Sequence, residues 1–296
     1  MLENGELVEW VRKVAGSHDP RVTASTPVYP MRTPDVLTRP VHPRATRVYL
    51  CGGVAVRVHA EGTRGIDLAR RLDAIETPDL DNHWLHPLSR GLLRAPGGLY
   101  GTMWPRATLV STIEAAPWLD AGRLLGRLHT ARIVPDLPRH GGVVRFRQAL
   151  ERAGAEPELR WLADVGERLR PQLAATSRRA LVHGHWHLGH LGHPLLSKRW
   201  RLLDPDDLGL GDPLWDLGLP AGYRLAGLFD DDAWDDFTTG YRQAGGDFDA
   251  ERLRPFAQGA LLLAAVNELT SPLGGKATTI VETVRALDRG DVVAGL

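Results

Sequence analysis

Two motifs that lie close together in the second half of the chain constrain its fold most. The first, ALVHGHWHLGHLGH over residues 180–193, places five histidines within eleven positions. The second, RLLDPDDLGLGDPLWDLG over residues 201–218, has two leucines directly before Asp204. A buried strand that ends in a carboxylate can hold Mg²⁺, which prefers oxygen ligands and usually takes only one or two from the protein. The pair of motifs therefore indicates a site built from two loops, each of which follows a short β-like run.

The histidine segment by itself permits two interpretations. Alternate side chains of a strand share a face, so His183, His185 and His187 together would suit Zn²⁺ or another transition metal. The glycines of the segment favour a bent backbone instead. In the second interpretation one or two of the histidines are packed and hydrogen-bonded, and the others are solvated. Both interpretations stay open at this point.

Composition limits the class of protein. A chain of 296 residues with 43% hydrophobic content can bury a large core, in one large domain or in two lobes around a cleft. The 36 basic and 36 acidic residues cancel, so nothing in the overall charge favours a nucleic acid or an anionic membrane as partner. A single cysteine, Cys51, excludes an intramolecular disulfide and a thiolate metal site.

The N-terminal segment reads as an amphipathic helix and the longest apolar run is too short to span a bilayer, so we expect a cytoplasmic protein. The oligomeric state stays open.

The order of predicted elements divides the chain in two. The runs TRVYLC and VAVRVHA, separated by Gly52 and Gly53, predict a β-hairpin. A helical pattern follows in TRGIDLARRLDAIE, and GGLYGTMWP predicts a further strand that ends at Pro105. From about residue 119 onward, most segments have helical periodicity. We therefore predict an α+β protein, with an N-terminal arm and a β-rich N-lobe over residues 1–105 and a helical C-lobe over residues 106–296.

The two motifs together resemble the aminoglycoside phosphotransferase family, which comprises protein-kinase-like small-molecule kinases. The segment AGRLLGRLHTA resembles the helix that carries a Leu-His pair in that family, here Leu128 and His129. The resemblance covers about residues 46–290, and its most specific part is the Gly-Asp-Pro segment. It implies a two-lobed protein-kinase-like fold, with a small β-rich N-lobe and a larger, mainly helical C-lobe. It also implies transfer of the γ-phosphate of ATP or GTP to a hydroxyl group.

Several site residues carry over from the family. Asp204 matches the carboxylate that holds Mg²⁺ against the nucleotide phosphates. His183 matches the first residue of the catalytic loop. Asp212 and Asp216 match the carboxylates that brace this loop by hydrogen bonds. Met103, on the strand at the predicted hinge between the lobes, is expected to contribute to nucleotide binding.

Three positions depart from the family pattern. His185 stands where the family has its catalytic aspartate, and His190 stands where it has an asparagine that binds the second metal ion. A ring nitrogen is a poorer ligand for Mg²⁺ than an amide oxygen, but it suits Mn²⁺ or Zn²⁺. No lysine lies between Lys13 and Lys198, so Arg57 takes the phosphate-binding position, with Asp67 of the following helix as its expected carboxylate partner, or Glu61 if that helix starts earlier.

These departures leave three functions open. The first is a divergent phosphotransferase in which His185 is the general base toward a hydroxyl of a small molecule or peptide. The second is a pseudokinase whose cleft binds a peptide, a nucleotide or a partner enzyme without transfer. The third is a cleft that uses histidine acid/base or metal chemistry.

Two features bear on the acceptor. The acidic segment LFDDDAWDDF would attract polycationic sugars if it faced the cleft, or it is simply the start of a helix, where acids are favoured. The nine tryptophans, which include Trp186 and Trp215, suit an apolar or peptidic acceptor if they line the cleft, and are otherwise core residues.

Overall fold

A five-stranded antiparallel sheet forms the first part of the molecule. The computed structural model describes residues 4–31, 46–175, 178–270 and 277–291. The strand order is β1-β2-β3-β5-β4. The predicted hairpin is confirmed, and its turn uses the positive φ of 60° that Gly52 adopts without steric cost. The strands are β1 (Val28–Pro30), β2 (Arg47–Cys51), β3 (Val54–Val58), β4 (Leu93–Arg94) and β5 (Tyr100–Pro105).

Two helices cover opposite faces of this sheet. Helix α1 (Asn4–Gly16) is the predicted amphipathic helix, and its apolar side chains form a core with the face of β3 that carries Val54, Val56 and Val58. Helix α2 (Gly65–Ile75) belongs to a second, larger core that includes Ala55 on the other face of β3. Because successive side chains of a strand point to opposite faces, Arg57 shares its face with Ala55 and not with the valines.

The second part of the molecule is mainly helical, as predicted. Where α3 and α7 cross, Gly122 and Gly240 allow the two backbones to touch, since a Cβ at either position would overlap a carbonyl oxygen of the other helix. Within the described residues, no helix is both long and apolar enough to cross a membrane. The helices are α3 (Trp118–Thr130), α4 (Gly142–Ala155), α5 (Arg160–Ala174), α6 (Leu214–Leu225), α7 (Asp231–Gln243), α8 (Ala250–Leu269) and α9 (Ala277–Arg289).

Short strands frame the two motif loops. Strand β7 (Ala180–Val182) pairs with β10 (Gly209–Gly211). Strand β8 (Leu191–Pro194) lies between β6 (Ala107–Leu109) and β9 (Arg201–Leu202). The histidine loop therefore runs from β7 to β8, and the loop with Asp204 runs from β9 to β10. The α+β architecture is confirmed; β5 ends at Pro105, and the division into two units at that residue stays a prediction.

Candidate active site

Asp216 fixes the start of the histidine loop. Its carboxylate accepts hydrogen bonds from the backbone N–H groups of His183 and Gly184, at 2.6 and 2.8 Å. His129 contacts the same carboxylate through Nε2 at 3.0 Å, and its Nδ1 contacts the hydroxyl of Tyr241. Burial raises the pKa of Asp216, but the bond from His129 and the neighbouring histidines outweigh it and lower the pKa overall. An ionised, buried Asp216 thus braces the loop, as the family resemblance implies.

Asp212 and His183 tie the loop region to its surroundings. The Asp212 carboxylate accepts the backbone N–H of Leu214 at 3.1 Å and pairs with Arg252 at 3.3 Å, so it joins the start of α6 to α8. The buried ring of His183 stacks on Trp84. Its Nε2 hydrogen-bonds the carbonyl oxygen of Leu203 at 2.8 Å, which connects the histidine loop to the residue before Asp204.

The carboxylate of Asp204 lies between a guanidinium group and an imidazole ring. Its Oδ1 is 2.8 Å from Nη2 of Arg57, and its Oδ2 is 3.1 Å from Nε2 of His190. The backbone of Asp204 has a φ of 63°, in the left-handed region that is rare for a residue with a side chain. Burial raises the pKa of Asp204, yet Arg57 and His190 hold it well below the usual range. Asp204 is therefore a strained, ionised carboxylate at the position the resemblance assigns to metal binding.

The pair of Asp204 and His190 fits a divalent ion. The Nδ1–H of His190 donates to the carbonyl oxygen of His185 at 2.8 Å, so Nε2 is the nitrogen that faces Asp204. Two ligands of one octahedral ion with bonds of about 2.1 Å lie about 3 Å apart. The distance of 3.1 Å between His190 Nε2 and Asp204 Oδ2 matches that spacing and also matches a direct hydrogen bond. The structure thus brings together the two residues that we predicted as metal ligands.

A site made of three histidines fits a metal poorly. One nitrogen from each of His185, His187 and His190 lies within 4.8 Å of the others. However, Nδ1 of His187 accepts the N–H of Gly189 at 3.1 Å, so the neutral ring carries its proton on Nε2 and has no lone pair left for an ion. The alternative set of His183, His185 and His187 on one strand face is wrong, because β7 ends at Val182 and the backbone bends at Gly184.

His185 is a neutral, half-buried imidazole at the junction of the two motifs. Burial holds its pKa well below the ordinary value, and the nearby guanidinium of Arg145 lowers the pKa further. Its Nδ1 is buried and has no hydrogen-bond partner within the described residues. The ring lies beside a cavity between the helices. A neutral ring in this place is able to accept a proton.

Arg57 has different partners from the one predicted. Its guanidinium pairs with Asp204 at 2.8 Å and with Asp206 at 3.3 Å. Asp67 instead pairs with Arg64, three residues before it, at 3.1 Å. The prediction of Asp67 as the partner of Arg57 is wrong, because the loop after Asp204 brings a closer buried carboxylate to the guanidinium, and Glu61, the other candidate, is exposed.

The comparisons with known proteins bear on the family and the fold of this chain. Residues 115–256 match the family model of the phosphotransferase enzyme family. The resemblance to the aminoglycoside phosphotransferase family is confirmed. No curated protein sequence matches the chain at a significant level. The family match supports a small-molecule phosphotransferase in general.

Solved structures share the fold at low sequence identity. A choline/ethanolamine kinase family protein from Mesorhizobium loti has a TM-score of 0.60 and 16% identity, over 96% of this chain and 94% of its own. An aminoglycoside phosphotransferase from Streptomyces rimosus has a TM-score of 0.60 and 16% identity, over 90% and 99%. An amicoumacin kinase in complex with AMP-PNP and Ca²⁺ has a TM-score of 0.64 and 15% identity, over 95% and 93%. The two-lobed, protein-kinase-like fold is confirmed.

Met103, which we expected to contribute to nucleotide binding, lies on β5. Its side chain packs in the core beneath α1, together with Val56, and its carbonyl oxygen accepts the N–H of Leu88 at 2.7 Å. The alternation of side chains along β5 places Thr102 and Trp104, on either side of Met103, on the face of Arg57. The side chain of Met103 thus lies on the face of the sheet opposite Arg57, and its part in nucleotide binding stays a prediction.

Sequence reasoning missed Asp206, which organises the base of the cleft. Its Oδ2 contacts Thr46 at 3.2 Å, Arg57 at 3.3 Å and Nδ1 of His59 at 2.9 Å. The other ring nitrogen of His59 meets the hydroxyl of Thr102 at 2.9 Å. A partial signal was available, because the alternating run VAVRVHA places Arg57 and His59 on one face, where a carboxylate partner is expected. Asp206 performs the pairing that we assigned to Asp67.

Proposed function

We propose that this protein transfers the γ-phosphoryl group of ATP or GTP to a hydroxyl group of a small molecule. The observation that supports this most is the hydrogen bond from His190 to the carbonyl oxygen of His185, at 2.8 Å. This bond fixes the ring of His190, which faces the Asp204 carboxylate, relative to His185. His185 stands at the position of the family's catalytic aspartate. The acceptor side and the phosphate side of the cleft therefore form one connected unit.

His185 is the general base of this proposal. The acceptor oxygen attacks the γ-phosphorus, and the bond from that phosphorus to the oxygen that bridges it to the β-phosphate breaks. The hydroxyl proton passes to a ring nitrogen of His185 and then to solvent, while the nucleoside diphosphate leaves. The proton leaves late in phosphoryl transfer and most catalysis comes from positioning and charge neutralisation, so a weak neutral base is sufficient.

Asp204, His190 and Arg57 form the phosphate side. Asp204 and His190 would hold a divalent ion, Mg²⁺ or one that accepts nitrogen ligands such as Mn²⁺ or Zn²⁺. Such an ion supplies charge neutralisation on the phosphates when it is bound. Arg57 lies beside Asp204 on the strand where the family has its lysine, and its permanent charge suits the same phosphates.

A second candidate is a binding protein without transfer. It is favoured by the ion pairs of Asp204, whose two oxygens already face Arg57 and His190. In this candidate the cleft binds a nucleotide, a peptide or a partner enzyme, and Arg57 and His190 take the place of the metal.

Two measurements on one preparation separate these candidates. Diphosphate release from ATP and GTP is followed with Mg²⁺ or Mn²⁺ and a panel of small alcohols and a serine peptide, and nucleotide binding is followed by calorimetry. Transfer to a small alcohol that is lost in Asp204→Asn and kept in Asp235→Asn, an exposed position on α7, supports the phosphotransferase. Nucleotide binding without diphosphate release supports the second candidate. A folded protein that binds no nucleotide overturns the phosphotransferase.

A further inference from the structure

The cavity beside His185 has an apolar, aromatic wall. It has a volume of about 60 Å³, lies between α4, α5, α6 and α8 and is open to solvent. Two edge-to-face contacts join its rings, from Phe146 to Trp215 with 6.2 Å between centroids and from Trp215 to Phe256 with 5.7 Å. Sites for small organic ligands have mostly apolar linings with a small number of polar groups. The apolar side chains of the wall include Phe146, Leu173, Trp215, Leu219, Phe256 and Leu263.

The charge of the cavity disfavours a polycation. Among the lining residues in the described part of the chain there is no Asp or Glu, and Arg145 is the one with a permanent charge. The guanidinium of Arg145 is paired with Asp207. An ammonium group that entered this cavity would lose its hydration and find no carboxylate in the lining, which makes burial of a charge costly. A neutral ligand has no such cost.

The acidic segment of the chain does not line this cavity. Asp230 accepts the N–H of Ala233 at 2.9 Å and so caps α7, and Asp231 pairs with Arg224. The acidic segment thus forms the start of a helix, which is one of the two interpretations of its sequence. It gives no support for the steering of a cationic sugar into the cavity.

The histidine loop contributes to the lining of the cavity. His185 and Trp186 both line it, and Trp186 also lines a second, smaller pocket with Trp118 and Tyr223. The imidazole of His185 is thus a polar group beside a mostly apolar wall. This combination suits a molecule with an apolar body and a hydroxyl group at one end.

We infer that this cavity is the acceptor site and that the acceptor is an uncharged alcohol with an apolar ring body, not an aminoglycoside. Its hydroxyl points to His185, and its apolar body packs on the wall. This inference rests on the proposed function, because only a transferase has an acceptor. Binding of an alcohol to the cavity is nevertheless testable without any transfer.

The test is ligand binding in the absence of nucleotide. Saturation-transfer NMR and calorimetry are run with a set of neutral aromatic and alicyclic alcohols, with kanamycin and with a serine peptide. We expect binding of members of the alcohol set and none of kanamycin. Leu263→Glu, which buries a carboxylate in the wall, weakens alcohol binding by at least about tenfold. The matched control is Leu269→Glu, on the same helix and 42% exposed, which leaves binding unchanged.

A second variant keeps the test decisive if Leu263→Glu does not fold. Ala260→Phe fills the same cavity from α8 with an apolar side chain and is expected to block the alcohols. Kanamycin or peptide binding in preference to every alcohol overturns the inference, as does alcohol binding that neither variant affects. Alcohol binding without phosphoryl transfer leaves the cavity assignment in place and counts against the proposed function alone.

Discussion

Arg57 and Asp204 form an ion pair of 2.8 Å that joins β3 to the loop after β9. The side chains are only 11% and 17% exposed, respectively, and Asp206 lies 3.3 Å from the same guanidinium nitrogen. One buried cation therefore compensates two buried carboxylates. The pair contributes to stability as well as to the proposed phosphate site.

Loss of Arg57 is expected to destabilise the fold strongly. Arg57→Met leaves Asp204 and Asp206 buried with one cation fewer, and removal of one partner of a buried ion pair costs about 3 to 5 kcal/mol. The free energy of unfolding is measured by urea denaturation with intrinsic fluorescence. The matched control is Arg64→Met, which breaks the pair of Arg64 and Asp67, where the arginine is 75% exposed, and costs less than about 1 kcal/mol. Equal losses in the two variants would contradict this account.

His190 is expected to set the metal preference. Its Nε2 faces the Asp204 carboxylate, and nitrogen ligands favour Mn²⁺ or Zn²⁺ over Mg²⁺. We expect the wild type to bind Mn²⁺ more tightly than Mg²⁺, and His190→Asn to move the ratio toward Mg²⁺ by about tenfold, since an amide oxygen suits the harder ion. Electron paramagnetic resonance of bound Mn²⁺, with Mg²⁺ as competitor, measures the ratio without reference to activity. An unchanged ratio would remove His190 from the metal site.

Removal of the His185 ring is expected to reduce turnover without loss of nucleotide binding. General bases contribute about 10²- to 10⁴-fold, and in phosphoryl transfer the lower end applies, so His185→Ala is expected to lower kcat by about 100-fold. The control is His193→Ala, outside the loop, where the ring packs on Trp200. Equal rates in the wild type and in His185→Ala would remove the assignment of His185 as base.

The pH dependence of turnover should follow the neutral state of His185. Burial and Arg145 lower its pKa well below 6.5, so the ring stays deprotonated to a lower pH than an ordinary histidine. We expect kcat to stay level from pH 8 down to about 6.5 and to decrease only at lower pH. A decrease that begins above pH 7 would indicate a different base.

The parts of the fold that follow from periodicity were predictable, and the parts that depend on tertiary contacts were not. The β2–β3 hairpin and the amphipathic helices each have a local pattern. The faces of β5 do not, because Met103, Thr102 and Trp104 are all compatible with a buried strand, and the packing of α1 decides which of them faces inward. The partner of Arg57 was equally hidden, since Asp206 is 149 residues away in sequence.

The site itself was predictable to the extent that it follows the family motif. Asp204, His190 and His185 come together because one loop joins β7 to β8 and the other joins β9 to β10, while β7 pairs with β10 and β8 pairs with β9. The tautomers could not be inferred from the sequence, since they depend on which backbone group each ring nitrogen meets. The bond between Gly189 and His187 is the clearest case, because it decides against a site of three histidines.

His140 is expected to make the fold sensitive to mild acid. It is 4% exposed, and its Nδ1 accepts the backbone N–H of Gly142 at 3.2 Å. Burial lowers its pKa, although Asp216 and Asp207 oppose the effect. Because the pKa is lower in the folded state than the value of about 6.5 in the unfolded chain, the unfolded chain binds the extra proton first as the pH falls. The stabilising contribution is therefore complete above about pH 6.5 and is lost below it, by up to about 1.4 kcal/mol per pH unit.

The variant His140→Asn isolates this contribution. An asparagine retains an acceptor for the backbone N–H of Gly142 but does not titrate. At pH 7.5 the variant is expected to be less stable than the wild type, because it loses the ring contact with Trp215. Between pH 6.5 and 5.5 the free energy of unfolding of the variant should decrease less steeply than that of the wild type. The difference between the two slopes is up to about 1.4 kcal/mol per pH unit. Urea titrations at each pH give both values. Parallel curves for the two proteins would show that His140 takes up its proton equally in the folded and unfolded states.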